Sequence, residues 1–231
     1  MIARIWRGAT AARDARDYVR YLRDTGIKAY TQTPGNRGAW IFWREMGDLA
    51  EFLNSVDIEE GVEQLNTPAA LGRWLHEHGL ASSRLRLDQD DLERAVRFRE
   101  LLRAMTLANN GGRMHPAKVT ELNRELRRLR FEPGLDPRGA LQFRTTGVGV
   151  DAALGRMVTI VHEAMLQGRW HRLKACARDV CHWVFYDHSR NRTGTWCSMS
   201  ICGSRTKMLA YYRRHRRTVR RQGTPGRTHS R

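Results

Sequence analysis

The sequence predicts a mainly α protein: a helical bundle body, preceded by a short β-α-β segment and followed by a cysteine-paired hairpin and a basic helix. Three observations lead there. Apolar residues recur at helical spacing through most of residues 50–168, all four cysteines fall between Cys176 and Cys202, and the excess positive charge lies in the last quarter of the chain.

An apolar fraction of 41% over 231 residues is enough to bury a core, which excludes a largely disordered basic chain. No apolar run approaches the roughly 18 residues of a membrane helix. The start, Met1-Ile2-Ala3-Arg4, lacks the apolar centre of a secretion signal. The expectation is a cytoplasmic protein without membrane contact, whose thiols stay reduced.

Taken in order, Ile2–Arg7 is short and β-prone, and Ala12–Asp24 puts Ala15, Tyr18, Val19 and Leu22 on one helical face. After the turn residues Thr33, Pro34, Gly35 and Asn36, the aromatic run Gly38–Glu45 reads as a second strand. Residues 1–53 also resemble the first half of an antibiotic-biosynthesis-monooxygenase-like α+β barrel, through Met1–Gly8, Tyr18–Tyr30 and Pro34–Gly38. That resemblance implies a cofactor-independent monooxygenase or a ligand-binding barrel as an alternative function. Half a barrel cannot bury its own sheet, and the segment offers no acid, base or metal set.

Thr67 followed by Pro68 opens a helix carrying Leu71, Trp74 and Leu75, and Gly79 closes it. Asp88 caps a longer helix with Leu92, Ala95, Val96, Leu102 and Met105, ending near Asn110-Gly111-Gly112. Pro116 begins a third helix with the stripe Val119, Leu122, Leu126 and Leu129. Glu132–Asp136 reads as a loop, Leu141–Thr146 as a short strand, and Asp151 starts a fourth helix with Leu154, Met157, Val161 and Ala164, ended by Gly168. His76, His78, His115 and His162 lack a partnered ligand set, so no catalytic constellation is expected in this body.

The cysteines read Cys176-x4-Cys181 and Cys197-x4-Cys202. Two matched pairs flanking a hairpin deliver four thiolates to one tetrahedral site, the shell that zinc prefers, and a closed four-sulfur shell leaves no position for substrate. One structural Zn2+ is therefore expected, in a zinc-knuckle hairpin. Trp183, Phe185 and Tyr186 form a β-prone arm, Asp187–Gly194 a polar turn, and Trp196 leads into the second pair.

From His171 to Arg231 there are 15 Lys plus Arg against Asp179 and Asp187, whereas the preceding residues carry 26 basic and 22 acidic side chains. Ser204 is placed to cap a helix with Met208, Tyr211, Tyr212, His215 and Val219 on one face. A cationic helix beside an arginine-bearing turn suits a polyanion. The expected nucleic-acid contacts are Arg190, Asn191 and Arg192 in the turn, with Arg205, Lys207, Arg213 and Arg216 on the helix. Stacking of single-stranded bases on Trp183, Tyr186 or Trp196 is the alternative use of the same region.

The run Arg172–Cys176, Cys181–Arg192, Trp196–Met199 and Cys202-Gly-Ser-Arg-Thr-Lys207 resembles the CGNR zinc-finger family, with Ser204 standing where the family name has Asn. Leu49–Val56, Thr67–Leu75 and the helices to residue 168 resemble that family's alanine-rich, stress-related helical domain. The resemblance covers about residues 49–217. It implies zinc at Cys176, Cys181, Cys197 and Cys202, DNA as partner, and stress-responsive transcription regulation in bacteria. The expected organisation is a partial barrel-like segment at 1–48 and a helical body at 49–168 that takes a small-molecule or protein effector. A zinc finger with a basic helix follows at 169–220, then a disordered basic tail at 221–231.

Overall fold

Helix replaces strand at the first point where sequence and structure meet. The computed structural model describes residues 39–81, 85–137 and 139–222, with side chains between 46 and 215. In it the run expected as a strand, Gly38–Glu45, is helical from Ala39 within α1 (Ala39–Leu53). Met46, Leu49, Phe52 and Leu53 form one buried helical face. Once that face nucleates a helix, extension toward the N-terminus adds one hydrogen bond per residue and overrides the β preference of the aromatics. The expected strand Ile2–Arg7, the helix Ala12–Asp24, the turn at Thr33–Asn36 and most of the barrel-like resemblance lie outside the described residues.

The chain divides into two compact units, Met1–Glu45 and Met46–Arg231. Among the described residues there are six α-helices and three two-stranded antiparallel sheets, so the mainly helical fold with a C-terminal cysteine cluster is as the sequence predicts. After α1, the short strands β1 (Val56–Asp57) and β2 (Val62–Glu63) pair around a turn. Next comes α2 (Pro68–Glu77), with the Thr67 side chain accepting from Ala70 N and Gly79 at φ +68 beyond its end. In α3 (Gln89–Ala108), Asp88 and Asp91 form a reciprocal capping box.

The core-facing stripe of α3 is Leu92, Ala95, Phe98, Leu101 and Leu102; Val96 and Met105, expected there, are half-buried. The same face also carries two buried cations that the periodicity did not reveal. Arg99 reaches Glu63 at 2.6 Å, Ser55 at 2.8 Å and Glu100 at 2.9 Å. Arg103 donates to Glu100 at 2.9 Å, to the carbonyl of His182 at 3.0 Å and to that of Leu53.

In α4 (Pro116–Arg128) the buried stripe is Leu122, Glu125 and, just past its end, Leu129; Val119 is exposed. Glu125 replaces an apolar residue because Arg94 of α3 pairs with it at 2.8 Å, and Arg94 also pairs with Asp151 of α5 (Gly149–Leu166). Burial opposes the Arg94 charge, yet these two acids outweigh it and raise its pKa.

The segment expected as a loop, Glu132–Asp136, falls mostly in β3 (Phe131–Leu135), paired with β4 (Leu141–Thr145). Pro133 faces Phe143 across this two-stranded edge, the setting in which a residue without an N–H is tolerated. Gly168 at φ +64 ends the α5 region.

Candidate metal centre

The C-terminal module grows out of a hairpin whose turn is the first cysteine pair. Strand β5 (Leu173–Ala175) pairs with β6 (Val184–Tyr186), and Cys176 N donates to Trp183 O at 2.9 Å, closing the ladder beside the metal ligands. The β-prone arm Trp183–Tyr186 therefore pairs upstream with Leu173–Ala175. Pairing with the Trp196 arm, the arrangement the sequence suggested, is replaced by one backbone bond from Ala177 N to Thr195 O at 3.0 Å.

The second pair is presented by a single π turn, Met199–Gly203, whose first residues are capped by Ser198 accepting from Ile201 N. The turn runs straight into α6 (Ser204–Gln222). Ser204 is already helical and its hydroxyl donates back to Met199 O at 3.2 Å, so the cap belongs to Ser198 and not to Ser204.

Cys176, Cys181, Cys197 and Cys202 bring their Sγ atoms within 4.8 Å of one another. Cys181–Cys197 and Cys197–Cys202 are each 3.7 Å apart. A tetrahedral shell with zinc–sulfur bonds of about 2.3 Å requires sulfurs about 3.8 Å apart, the spacing of those two pairs, so the four residues fit the ligand set of one zinc ion. All four thiols are free of disulfides.

Without a cation these thiols obstruct one another's ionisation. Burial pushes Cys181 up to about 11 and raises Cys197 too, with Cys176 adding repulsion in both cases. Burial opposes ionisation at Cys202 as well, but hydrogen bonds from Cys197 and Arg178 outweigh it and lower its pKa. A doubly charged metal supplies the field that four neighbouring thiolates need. His182 and His188, the nearby imidazoles, do not join the sulfur group, and burial lowers the pKa of both.

Below the polar turn lies a buried ion pair. Lys174 of β5 donates to Asp187 at 2.8 Å, to Arg192 O at 2.6 Å and to Gly194 O at 3.0 Å. Asp187 in turn accepts from Ser189 N at 2.9 Å and Gly194 N at 2.8 Å, and Arg172 donates to the carbonyls of Asp187 and Ser189. Burial would push the Asp187 carboxyl up, but Lys174, Ser189 and Gly194 outweigh it and hold it well below the usual carboxylate range. Two of the basic residues counted toward the C-terminal charge, Arg172 and Lys174, thus serve as internal pins.

The expected nucleic-acid contacts differ in their settings. Arg190, Asn191 and Arg192 are exposed on the pinned turn, with Arg192 at φ +56. Arg205 is exposed but paired with Glu59 at 3.0 Å, Lys207 lies 6.0 Å above the Trp196 ring, and Arg213 is exposed farther along α6. Arg216 is placed on α6 by its backbone; its side chain lies outside the described residues. Sequence reasoning missed Arg178 and Glu59, which pair at 2.6 Å across 119 residues, a separation that no local pattern encodes.

The module is fastened to the helical body by side chains that imitate backbone. Asn54 bonds both polar groups of Val184, Asn109 donates to the carbonyls of Trp170 and Leu173, and Asn110 donates to that of Ala175. Among the described residues one further metal-compatible group exists, Asp48, Glu51 and His78. There His78 stacks on Trp74 at 3.8 Å and joins α1 to the end of α2 through Glu51.

No curated protein matches the chain. Residues 172–215 match the CGNR zinc finger, and residues 49–184 match the family described as "ABATE: Putative stress-induced transcription regulator". The first match contains all four cysteines, and the second spans the body and continues into the hairpin that the asparagines hold. With more than half of its length covered by the second match, the chain belongs to the ABATE family and carries one CGNR-type zinc site.

Proposed function

We propose that this protein is a zinc-dependent DNA-binding transcription regulator, with Cys176, Cys181, Cys197 and Cys202 as the ligands of one structural zinc. It acts as a regulator rather than an enzyme, in the bacterial cytoplasm and on the nucleoid. The observation that carries the reading is the Asp187–Gly194 turn. Its interior is fixed by Lys174, Arg172 and Asp187, so the exposed Arg190, Asn191 and Arg192 are presented to solvent at little ordering cost. Arg205, Lys207, Arg213 and Arg216 on α6 supply further cations, and residues 221–231 carry Arg221, Arg227 and Arg231 in the sequence. The family description, a stress-induced transcription regulator, supports a nucleic-acid partner.

Residues 49–168 are then the sensing body for a small-molecule or protein effector, and 169–220 the binding module. No described helix is long and apolar enough to cross a membrane.

The test is titration of a mixed-sequence duplex over a range of salt, before and after chelation. Six phosphate contacts give a slope of about five in log affinity against log salt. Affinity that vanishes on chelation supports a zinc-built surface. Joint Arg190→Ala and Arg192→Ala substitution is expected to lower the slope by about two; an unchanged slope removes the turn from the interface. Trp183, partly exposed beside β6, favours a second reading, single-strand binding, which tighter binding of a single strand at matched salt would establish instead.

A further inference from the structure

Glu59 lies in the β1–β2 turn of the helical body, and both of its carboxylate oxygens are occupied by arginines of the metal module. Arg178 Nη1 is 2.6 Å from Oε2 and Arg205 Nη1 is 3.0 Å from Oε1. The arginines come from opposite halves of the centre. Arg178 belongs to the loop between Cys176 and Cys181, and Arg205 follows Cys202 by three residues. Arg178 Nη1 is also 4.0 Å from Cys202 Sγ, so the cysteine cluster helps to fix it. Arg178 is mostly buried at 16% exposure, whereas Arg205 at 56% leaves one side of the pair open to solvent.

Two guanidinium groups converging on two oxygens of one anion is also the geometry in which arginines hold a phosphate. Glu59 thereby marks where an oxyanion sits between the two halves of the knuckle. Its carboxylate is intramolecular and singly charged, and an incoming phosphodiester competes for the same donors. We infer that Arg178 and Arg205 form a seat for a backbone phosphate of nucleic acid, which Glu59 of the helical body fills until the phosphate displaces it. This rests on the proposed nucleic-acid reading and adds a control to it. The body masks one phosphate contact of the module, and withdrawal of the β1–β2 turn releases that contact.

The full-length zinc-loaded protein tests this with two probes, a mixed-sequence duplex and inorganic polyphosphate. Glu59→Gln is compared with Glu60→Gln, which makes the same charge change on an exposed neighbour that pairs with neither arginine. Glu59→Gln is expected to tighten binding about three- to tenfold and Glu60→Gln less than about twofold, since exposed ion pairs contribute modestly and long-range charge is screened. The gain from Glu59→Gln should disappear in an Arg178→Ala, Arg205→Ala background. Arg205→Ala alone, whose guanidinium is exposed, provides a background that spares the sulfurs, and the zinc content of every variant is measured.

Equal effects of Glu59→Gln and Glu60→Gln on both probes overturn the seat, whatever the duplex affinity of the unaltered chain. A gain that survives removal of the arginines overturns it as well. If polyphosphate shows the specific gain while no protein binds duplex, the seat stands and the nucleic-acid reading falls.

Discussion

Asn54 pairs with Val184 as a neighbouring strand would: its Nδ2 donates to Val184 O at 2.8 Å and its Oδ1 accepts from Val184 N at 2.8 Å. One side chain from the end of α1 therefore satisfies both backbone groups of a β6 residue beside the cysteine hairpin. Asn54→Asp keeps the shape but turns the donor into an acceptor facing a carbonyl. It is expected to cost about 1–3 kcal/mol in urea denaturation of the zinc-loaded protein. A loss near zero would mean that the pairing does not hold the hairpin to the body.

Lys174 and Asp187 form a buried pair, and removing one partner leaves the other charge stranded. Asp187→Asn is expected to cost about 3–5 kcal/mol near neutral pH. The pH dependence has a definite sign, because folding depresses the Asp187 pKa. Its contribution is complete above the unfolded carboxylate value of about 3.9 and is lost as pH falls from there toward the folded value. The stability difference between the unaltered chain and Asp187→Asn should stay constant from pH 8 to about 5 and shrink below about 4. Comparing urea midpoints of the two proteins cancels the acid-driven loss of zinc common to both. A difference that grows toward low pH would contradict the assignment.

Gly194 approaches this pair so closely that an added Cβ would lie 2.8 Å from Asp187 Cγ and Oδ1. Asp187 cannot retreat without breaking its bonds to Lys174 and Ser189. Gly194→Ala should therefore lose about 1–3 kcal/mol and loosen the turn. Gly47, inside α1, has nothing among the described residues within 4 Å of its own added Cβ, and Gly47→Ala should gain about 0.5–1 kcal/mol. Thermal melts of both variants check the contrast, and equal effects would refute the packing argument.

Zinc removal should act locally first. Elemental analysis is expected to give one zinc per chain, and a Ser at any of the four cysteine positions should abolish it. After chelation, amide exchange should accelerate in β5, β6 and the Met199–Gly203 turn, while the middle of α3, buried through Phe98, Leu101 and Leu102, keeps its protection. Unchanged exchange in a metal-free sample would show that the thiols merely pack.

Much of this architecture is local and was readable from residue order. Thr67-Pro68 and Asp88 cap their helices through side chains three residues from their targets, and Gly79 and Gly168 take up the positive φ that follows a helix end. The paired Cys-x4-Cys spacing announced a single site because both loops are short. The misreadings came where a neighbouring segment or a more distant partner overrides a residue's own preference. The aromatic run before Met46 is helical because a buried face extends it, Glu125 is buried because Arg94 waits for it, and Phe131–Leu135 is a strand because Leu141–Thr145 lies beside it.

The sequence by itself determined the helical body, the four-thiolate centre and the basic helix, since each depends on contacts between residues near in the chain. Tertiary structure alone decided which charges are free to meet a partner. Arg172 and Lys174 are spent inside the turn, Arg99 and Arg103 lie in the core, and Arg178 and Arg205 are held by Glu59. A count of basic residues cannot distinguish these from Arg190 or Arg213, because burial and pairing depend on groups brought together from tens to more than a hundred positions away.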